Sequence, residues 1–325
     1  MNKQMRKTLK SSNPFFIPED ITLGDDAFHR SKGRFHAEWW YFDAVFDNGY
    51  SINAILMVIS RRNYGIAIPI LTIYKDLKLK FNRRELYCFN EFVASENIPH
   101  VKLSKKNTVT GYIDENTNNW VYDVSMEVGG QKIDLHFTGL MKGWKGETPV
   151  SKWGVILPKA TVKGSITLNG EQINVNGTGY HDHNWELSLP IMQRGWYWGR
   201  VEGDLLNLVW SKIMLTKSKD FLLAVLNDDV SDYVNIKPEK IRLLDTYSAY
   251  DHREEIPDGF VLQVESEDES TYVDVKMKTI EAVHHVKTPI LNYWRYHVKV
   301  AGHMSYGKRS EEIDRVGIIE FLKIR

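Results

Sequence analysis

A single cysteine, Cys88, stands among 325 residues. That excludes an intrachain disulfide framework and a cysteine-rich metal centre, and Cys88 is expected as an ordinary core-facing strand residue. No apolar run approaches the roughly 20 residues of a helical membrane span. Met1–Asn13 carries Lys3, Arg6, Lys7 and Lys10 without an apolar stretch, so no secretory leader is read there. An excess of charge is lacking too: 42 basic residues meet 42 acidic ones, and no basic tract offers a footprint for nucleic acid. Phosphate loops, dinucleotide fingerprints and HExxH helices are missing, as is any long helix-period segment. The expectation is a soluble, cytoplasmic protein without metal or organic cofactor.

What is present is β-strand. Short alternating segments recur, among them Leu135–Gly139, Ala160–Leu168, Phe260–Val264 and Tyr272–Met277. Turn signals such as Gly129-Gly130 and Pro257-Asp258-Gly259 separate them, and Leu168-Asn169-Gly170-Glu171 predicts a type I′ hairpin. Aromatic residues reach 12%, with ten tryptophans.

Two segments read alike. His36-Ala37-Glu38-Trp39-Trp40-Tyr41-Phe42-Asp43 runs through Asp47-Asn48-Gly49 into an apolar strand. Trp196-Tyr197-Trp198-Gly199-Arg200 runs through Glu202-Gly203-Asp204 into another. Each is an aromatic hairpin, and their repetition predicts two copies of one β module. The expected division is an N-terminal arm over 1–30, a first barrel over 31–190 and a second over 191–325. Lys142–Ser151 reads as a long loop.

Gly177-Thr178-Gly179-Tyr180-His181-Asp182-His183-Asn184-Trp185, just before the second copy, holds the densest set of ionisable and aromatic side chains. If extended, it points Tyr180, Asp182 and Asn184 one way and His181, His183 and Trp185 the other. A carboxylate lining a barrel among aromatic rings loses hydration, which raises its pKa and lets it act as a general acid. Asp182 is the first candidate, oriented by Tyr180, and Glu38 the second. The competing reading makes Asp182 a structural carboxylate that caps the turn or pairs with Arg194 or Arg200. His181 and His183 have the spacing of a metal-ligand pair but lack further ligands, so no metal is expected. His284-His285 reads as a solvated or structural pair.

His36–Tyr41, Gly177–Trp185 and Trp196–Arg200 together resemble the AttH/CrtC-like lipocalin family, which includes carotenoid 1,2-hydratase; the resemblance runs from Gly33 to the C-terminus. It implies an all-β fold of two tandem lipocalin-like antiparallel β-barrels. It also implies a catalytic Tyr-x-Asp pair matching Tyr180 and Asp182, with an upstream tryptophan matching Trp153 and the aspartate as proton donor to an alkene. Glu186 departs from the family, where a glycine is usual. The implied activity is a hydro-lyase that adds water across a trisubstituted prenyl double bond of a long isoprenoid, a carotenoid precursor or geranylgeranyl-type lipid. Trp40, Trp153, Trp185, Trp196 and Trp198 would face the tertiary carbocation, and His36, His183 or Glu38 would hold the water. An isoprenoid or polyketide cyclase and a non-catalytic carrier of hydrophobic ligands are the alternatives. A greasy substrate would bring the protein transiently to a membrane surface.

Overall fold

Alternating strands joined by tight turns leave each sheet one face to bury and one to spend elsewhere. The computed structural model describes residues 16–30, 35–61, 64–187, 192–228, 232–251, 254–265 and 270–324. The first sheet contains β1 (Glu19–Asp20), β2 (His36–Phe46), β3 (Tyr50–Arg61), β4 (Tyr64–Lys75), β5 (Lys78–Arg84), β6 (Tyr87–Cys88) and β7 (Phe92–Ala94). It continues with β8 (His100–Leu103), β9 (Asn107–Ile113), β10 (Trp120–Val128), β11 (Gln131–Gly139), β12 (Trp144–Glu147), β13 (Lys152–Leu168) and β14 (Glu171–Trp185). Its main path runs β5-β4-β3-β2-β14-β13-β11-β10-β9-β8-β7. The sheet curls until β4 meets β10, and Gly129 donates its backbone N–H to Glu85 across the seam at 2.8 Å.

The second sheet contains β15 (Gln193–Glu202), β16 (Leu206–Leu215), β17 (Phe221–Asp228), β18 (Tyr233–Ile236), β19 (Ile241–Asp251), β20 (Glu254–Glu265), β21 (Thr271–Lys287), β22 (Leu291–Tyr306) and β23 (Arg309–Ile324). Its order is β18-β17-β16-β15-β23-β22-β21-β20-β19, and β17 curls round to β19. The molecule is therefore a tandem of two lipocalin-like antiparallel barrels. The expected boundary at 190/191 lies outside the described residues. No helix among the described residues is long and apolar enough to cross a membrane.

Local chemistry accounts for several joints. Asn169 and Gly170 both take positive φ, 54° and 84°, as the type I′ turn between β13 and β14 requires. Three expectations need correction. Lys142–Ser151 is not a plain loop, because β12 forms within it and pairs with β1 and β13. Cys88 is exposed, since β6 is a two-residue bridge at the sheet's rim. Residues 16–30 are more than an arm: Phe28 joins the first barrel's core and Asp26 is fully buried there.

Each lumen is filled. Trp40, Phe42, Leu56, Val58, Phe137 and Val162 pack the first, and Tyr197, Trp210, Phe260, Trp294 and Phe321 the second. A third cluster, including Tyr41, Trp153, Tyr180, Trp198 and Ile213, lies between the barrels on the outer faces of both sheets. There the repeat meets itself. Trp39 stacks on Trp196 with centroids 6.3 Å apart, Tyr41 meets Trp198 edge-on at 5.5 Å, and Arg200 pairs with Asp43 at 2.7 Å. Equivalent positions of the two aromatic hairpins touch, as the halves of a two-fold interface do.

Candidate active site

Register lays out one wall of the space between the barrels. On β14, β2, β3, β4 and β5, neighbouring residues Asp182, Tyr41, Ile55, Ile70 and Arg84 form a single row across five strands. A flanking row is apolar beyond Asn184, with Trp39, Met57 and Ile68. The row on the other side is polar: Tyr180, Asp43, Asn53, Thr72 and Asn82. The second barrel supplies the opposite wall, where Ser211, Trp198 and Glu320 are neighbours and Ile213, Trp196, Leu322 and Tyr293 follow beside them. Between the walls lies a cavity of about 620 Å³, a size that suits a small-molecule ligand.

Asp182 opens onto this cavity and is 5% exposed. Tyr180 donates its hydroxyl to one carboxyl oxygen at 2.8 Å, and Asn184 donates its amide to the other at 3.3 Å. Burial pushes the Asp182 carboxyl up to about 8, against the smaller opposing effects of Tyr180 and Trp153. The arginine pairing of the structural alternative is not seen: Arg200 pairs with Asp43 at 2.7 Å, and Arg194 with Asp220 at 3.2 Å. Among the described residues, Asp182 is a buried acid with no ion-pair partner.

Facing it is a second polar group. Glu320 accepts from the Tyr41 hydroxyl at 2.7 Å and from Arg295 at 2.6 Å, and burial raises its pKa although Arg295 opposes the shift. His285 also lines the cavity, hydrogen-bonded to the Tyr74 hydroxyl. Burial, with Arg295 nearby, lowers it to about 3, which keeps its imidazole neutral. Sequence reasoning missed Tyr41 and Glu320 as site residues, and it read His285 as half of a solvated or structural pair, whereas His285 is largely buried at the cavity wall. Tyr41 sat in a quoted motif, and Glu320 carries no local signal.

The predicted residues divide by face. Tyr180, Asp182, Trp153, Trp196 and Trp198 gather at the cavity or against the acid. His36, Glu38, Trp40, His183 and Trp185 do not reach it: they point the other way, into the first barrel. The substrate and water contacts expected of them are corrected accordingly, because strand alternation turns them from Asp182. They form a network of their own. Glu38 accepts from His183 at 2.8 Å and from His36 at 2.7 Å, and pairs with His29 at 3.0 Å; His183 also pairs with Asp26 at 3.0 Å. Burial alone would raise Glu38, yet the three imidazoles hold it well below the carboxylate range, and the two carboxylates lift His183 to about 9 despite burial. His183 stacks on Trp40 at 4.6 Å, and His29 on Trp185 at 4.5 Å.

Donor atoms of His29, Glu38 and His183 lie within 4.8 Å of one another. Their contacts, 2.8 to 3.0 Å, are those of hydrogen bonds. The arrangement is that of an ion-pair network around Glu38. The network clamps the lumen face of β14 and so turns Tyr180, Asp182 and Asn184 toward the second barrel.

No family model matches the chain. Solved structures do. An AttH-like protein from Nitrosomonas europaea superposes with a TM-score of 0.65 at 14% identity, covering 93% of this chain and 97% of the other. This chain has the fold of the AttH/CrtC-like lipocalin family. CghA in complex with Sch210972 superposes at 0.66 and 11% identity over 90% of this double-lipocalin chain and 89% of its own. Kievitone hydratase from Nectria haematococca follows at 0.57 and 11%, over 88% of each. Two curated proteins align with short segments: the quinolone epoxide rearrangement proteins penF of Penicillium thymicola, 27% identical over 73 residues, and asqO of Emericella nidulans, 29% over 72. Each alignment covers 22% of this chain and about a fifth of the relative's length.

Proposed function

We propose that this chain is a cofactor-independent hydratase that protonates a trisubstituted prenyl double bond of a long isoprenoid in the cavity between its barrels. One observation carries the reading: Asp182 is buried at the edge of a cavity walled by Trp39, Trp153, Trp196 and Trp198, with no ion-pair partner among the described residues, and burial raises its carboxyl to about 8. The acid delivers its proton to the less substituted alkene carbon, leaving a tertiary carbocation. Tryptophan faces stabilise such a cation by about 2 kcal/mol or more where water is excluded. Water then forms the C–O bond, and its surplus proton returns to the Asp182 carboxylate. Asn53, Asn184, Ser211 and Glu320 are the polar groups of the cavity proposed to hold that water. A greasy substrate of this kind would bring the protein transiently to membrane surfaces.

The likeness in fold to a named hydratase supports this reading. A second reading is cyclisation or rearrangement, supported by the segments shared with epoxide rearrangement proteins: the same acid would start it, and a second double bond or an internal group would quench the cation. Incubation with prenyl substrates in heavy-oxygen water separates the readings. A labelled alcohol marks a hydratase, an unlabelled isomer a cyclase or rearrangement enzyme, and unchanged substrate a carrier. Asp182→Asn should lower turnover by at least about 100-fold while leaving substrate binding nearly intact, and a variant that kept the parent rate would rule the acid out.

A further inference from the structure

The row that begins at Asp182 ends at Arg84. Register sets Arg84 beside Ile70 on the cavity face of β5, at the exposed mouth, with Arg83 next in sequence. Neither arginine has an ion-pair or hydrogen-bond partner among the described residues. The other charged group of the wall, Glu320, is already satisfied by Arg295 and Tyr41. The two ends of one groove therefore differ: unpaired guanidinium at the mouth, neutral acid among indoles at the floor, and Tyr41, Ile55 and Ile70 between them. We propose that the substrate is an amphipathic anion whose oxyanion head group rests on Arg84 while its reacting double bond lies at Asp182.

The inference deepens the assignment of Asp182 as acid and rests on it. A guanidinium presents a planar fork that matches carboxylate or phosphate oxygens, and Arg83 adds to the same field. Four strand-to-strand steps separate the two ends. At about 4.8 Å per step they span at most roughly 19 Å, less along the chord of the curved wall. A chain of several prenyl units has that reach. A bare hydrocarbon would leave Arg84 unused.

The test is binding, read by tryptophan fluorescence on the full chain, so that its outcome is independent of turnover. The probes are geranylgeranyl phosphate, geranylgeranoic acid, neutral geranylgeraniol and the short dimethylallyl phosphate. One or both long anions should bind at least about tenfold more tightly than the alcohol, as a bidentate charge-assisted contact warrants. Which long anion binds best decides between phosphate and carboxylate. Dimethylallyl phosphate should bind no better than inorganic phosphate. Arg84→Gln should bring the long anions to the level of the alcohol and leave the alcohol unchanged, with Arg84→Lys recovering part of the difference. Equal binding of alcohol and anions by the parent, or an equal loss for all ligands in Arg84→Gln, overturns the proposal. Asp182→Asn should keep the anion preference. Loss of turnover without loss of that preference separates the acid's role from the head-group site.

Discussion

At the scale of the residue, everything turns on which form of one carboxyl the fold prefers. Asp182 rises to about 8 mainly through burial, whereas an ordinary aspartate titrates near about 4. Its neutral form is the one the native state favours. The stabilisation is therefore complete below the ordinary value and is lost as pH climbs through the native value, since the unfolded chain sheds this proton first. Turnover should hold between about pH 6 and 7 and fall as pH passes about 8. A rate profile falling instead near about pH 4 would mean that the ionised form is the working one. Thermal unfolding gives a second check: Asp182→Asn should lack the parent's decline in stability between about pH 4 and 8, so the variant gains on the parent as pH rises. Glu38 shows how little residue type decides. It is as buried as Asp182, yet three imidazoles hold it ionised.

At the scale of the element, β14 was the most legible part of the chain. Its alternation separates Tyr180, Asp182 and Asn184 from His181, His183 and Trp185, and the structure keeps that division. The two glycines of the motif have a packing cause. A Cβ on Gly177 would strike the Val45 carbonyl and the Phe46 backbone of β2, and one on Gly179 would meet Val162 and the Asp43 carbonyl. Gly177→Ala should therefore displace β14 from β2 and destabilise the fold by about 1–3 kcal/mol, measurable by chemical denaturation. β2 was less legible. Trp39, Tyr41 and Asp43 face the second barrel, while Glu38, Trp40 and Phe42 face the lumen, and nearly all of them are buried. A strand covered on both sides shows no polar face to mark its orientation. The aromatic motif was therefore assigned to the wrong side of its own strand.

At the scale of the whole molecule, the repeat supplies the site by packing against itself. Asp43 joins Arg200 at 2.7 Å and Arg295 at 3.7 Å, and Arg295 joins Glu320 at 2.6 Å, all buried between the barrels. Removing one partner of a buried pair costs about 3–5 kcal/mol, because the other charge is left alone. Arg200→Met should thus lower the melting temperature markedly, and the double variant Asp43→Asn with Arg200→Met should recover part of the loss. Recovery would identify an electrostatic joint; its absence would identify packing of the long arginine stem as the main contribution.

The sequence by itself determined the strands, their turns, the duplication and the identity of the side chains that share a face with Asp182. Those follow from local geometry: a period of two, positive φ at Asn169-Gly170, and aromatic hairpins spelled twice. Only the tertiary structure decided that the shared face looks outward, onto the other barrel, instead of into a lumen. It alone brought Glu320, His285 and Arg84 to the same cavity. Contacts between residues so far apart in the chain depend on how two curved sheets meet, and no periodicity within a single strand encodes that.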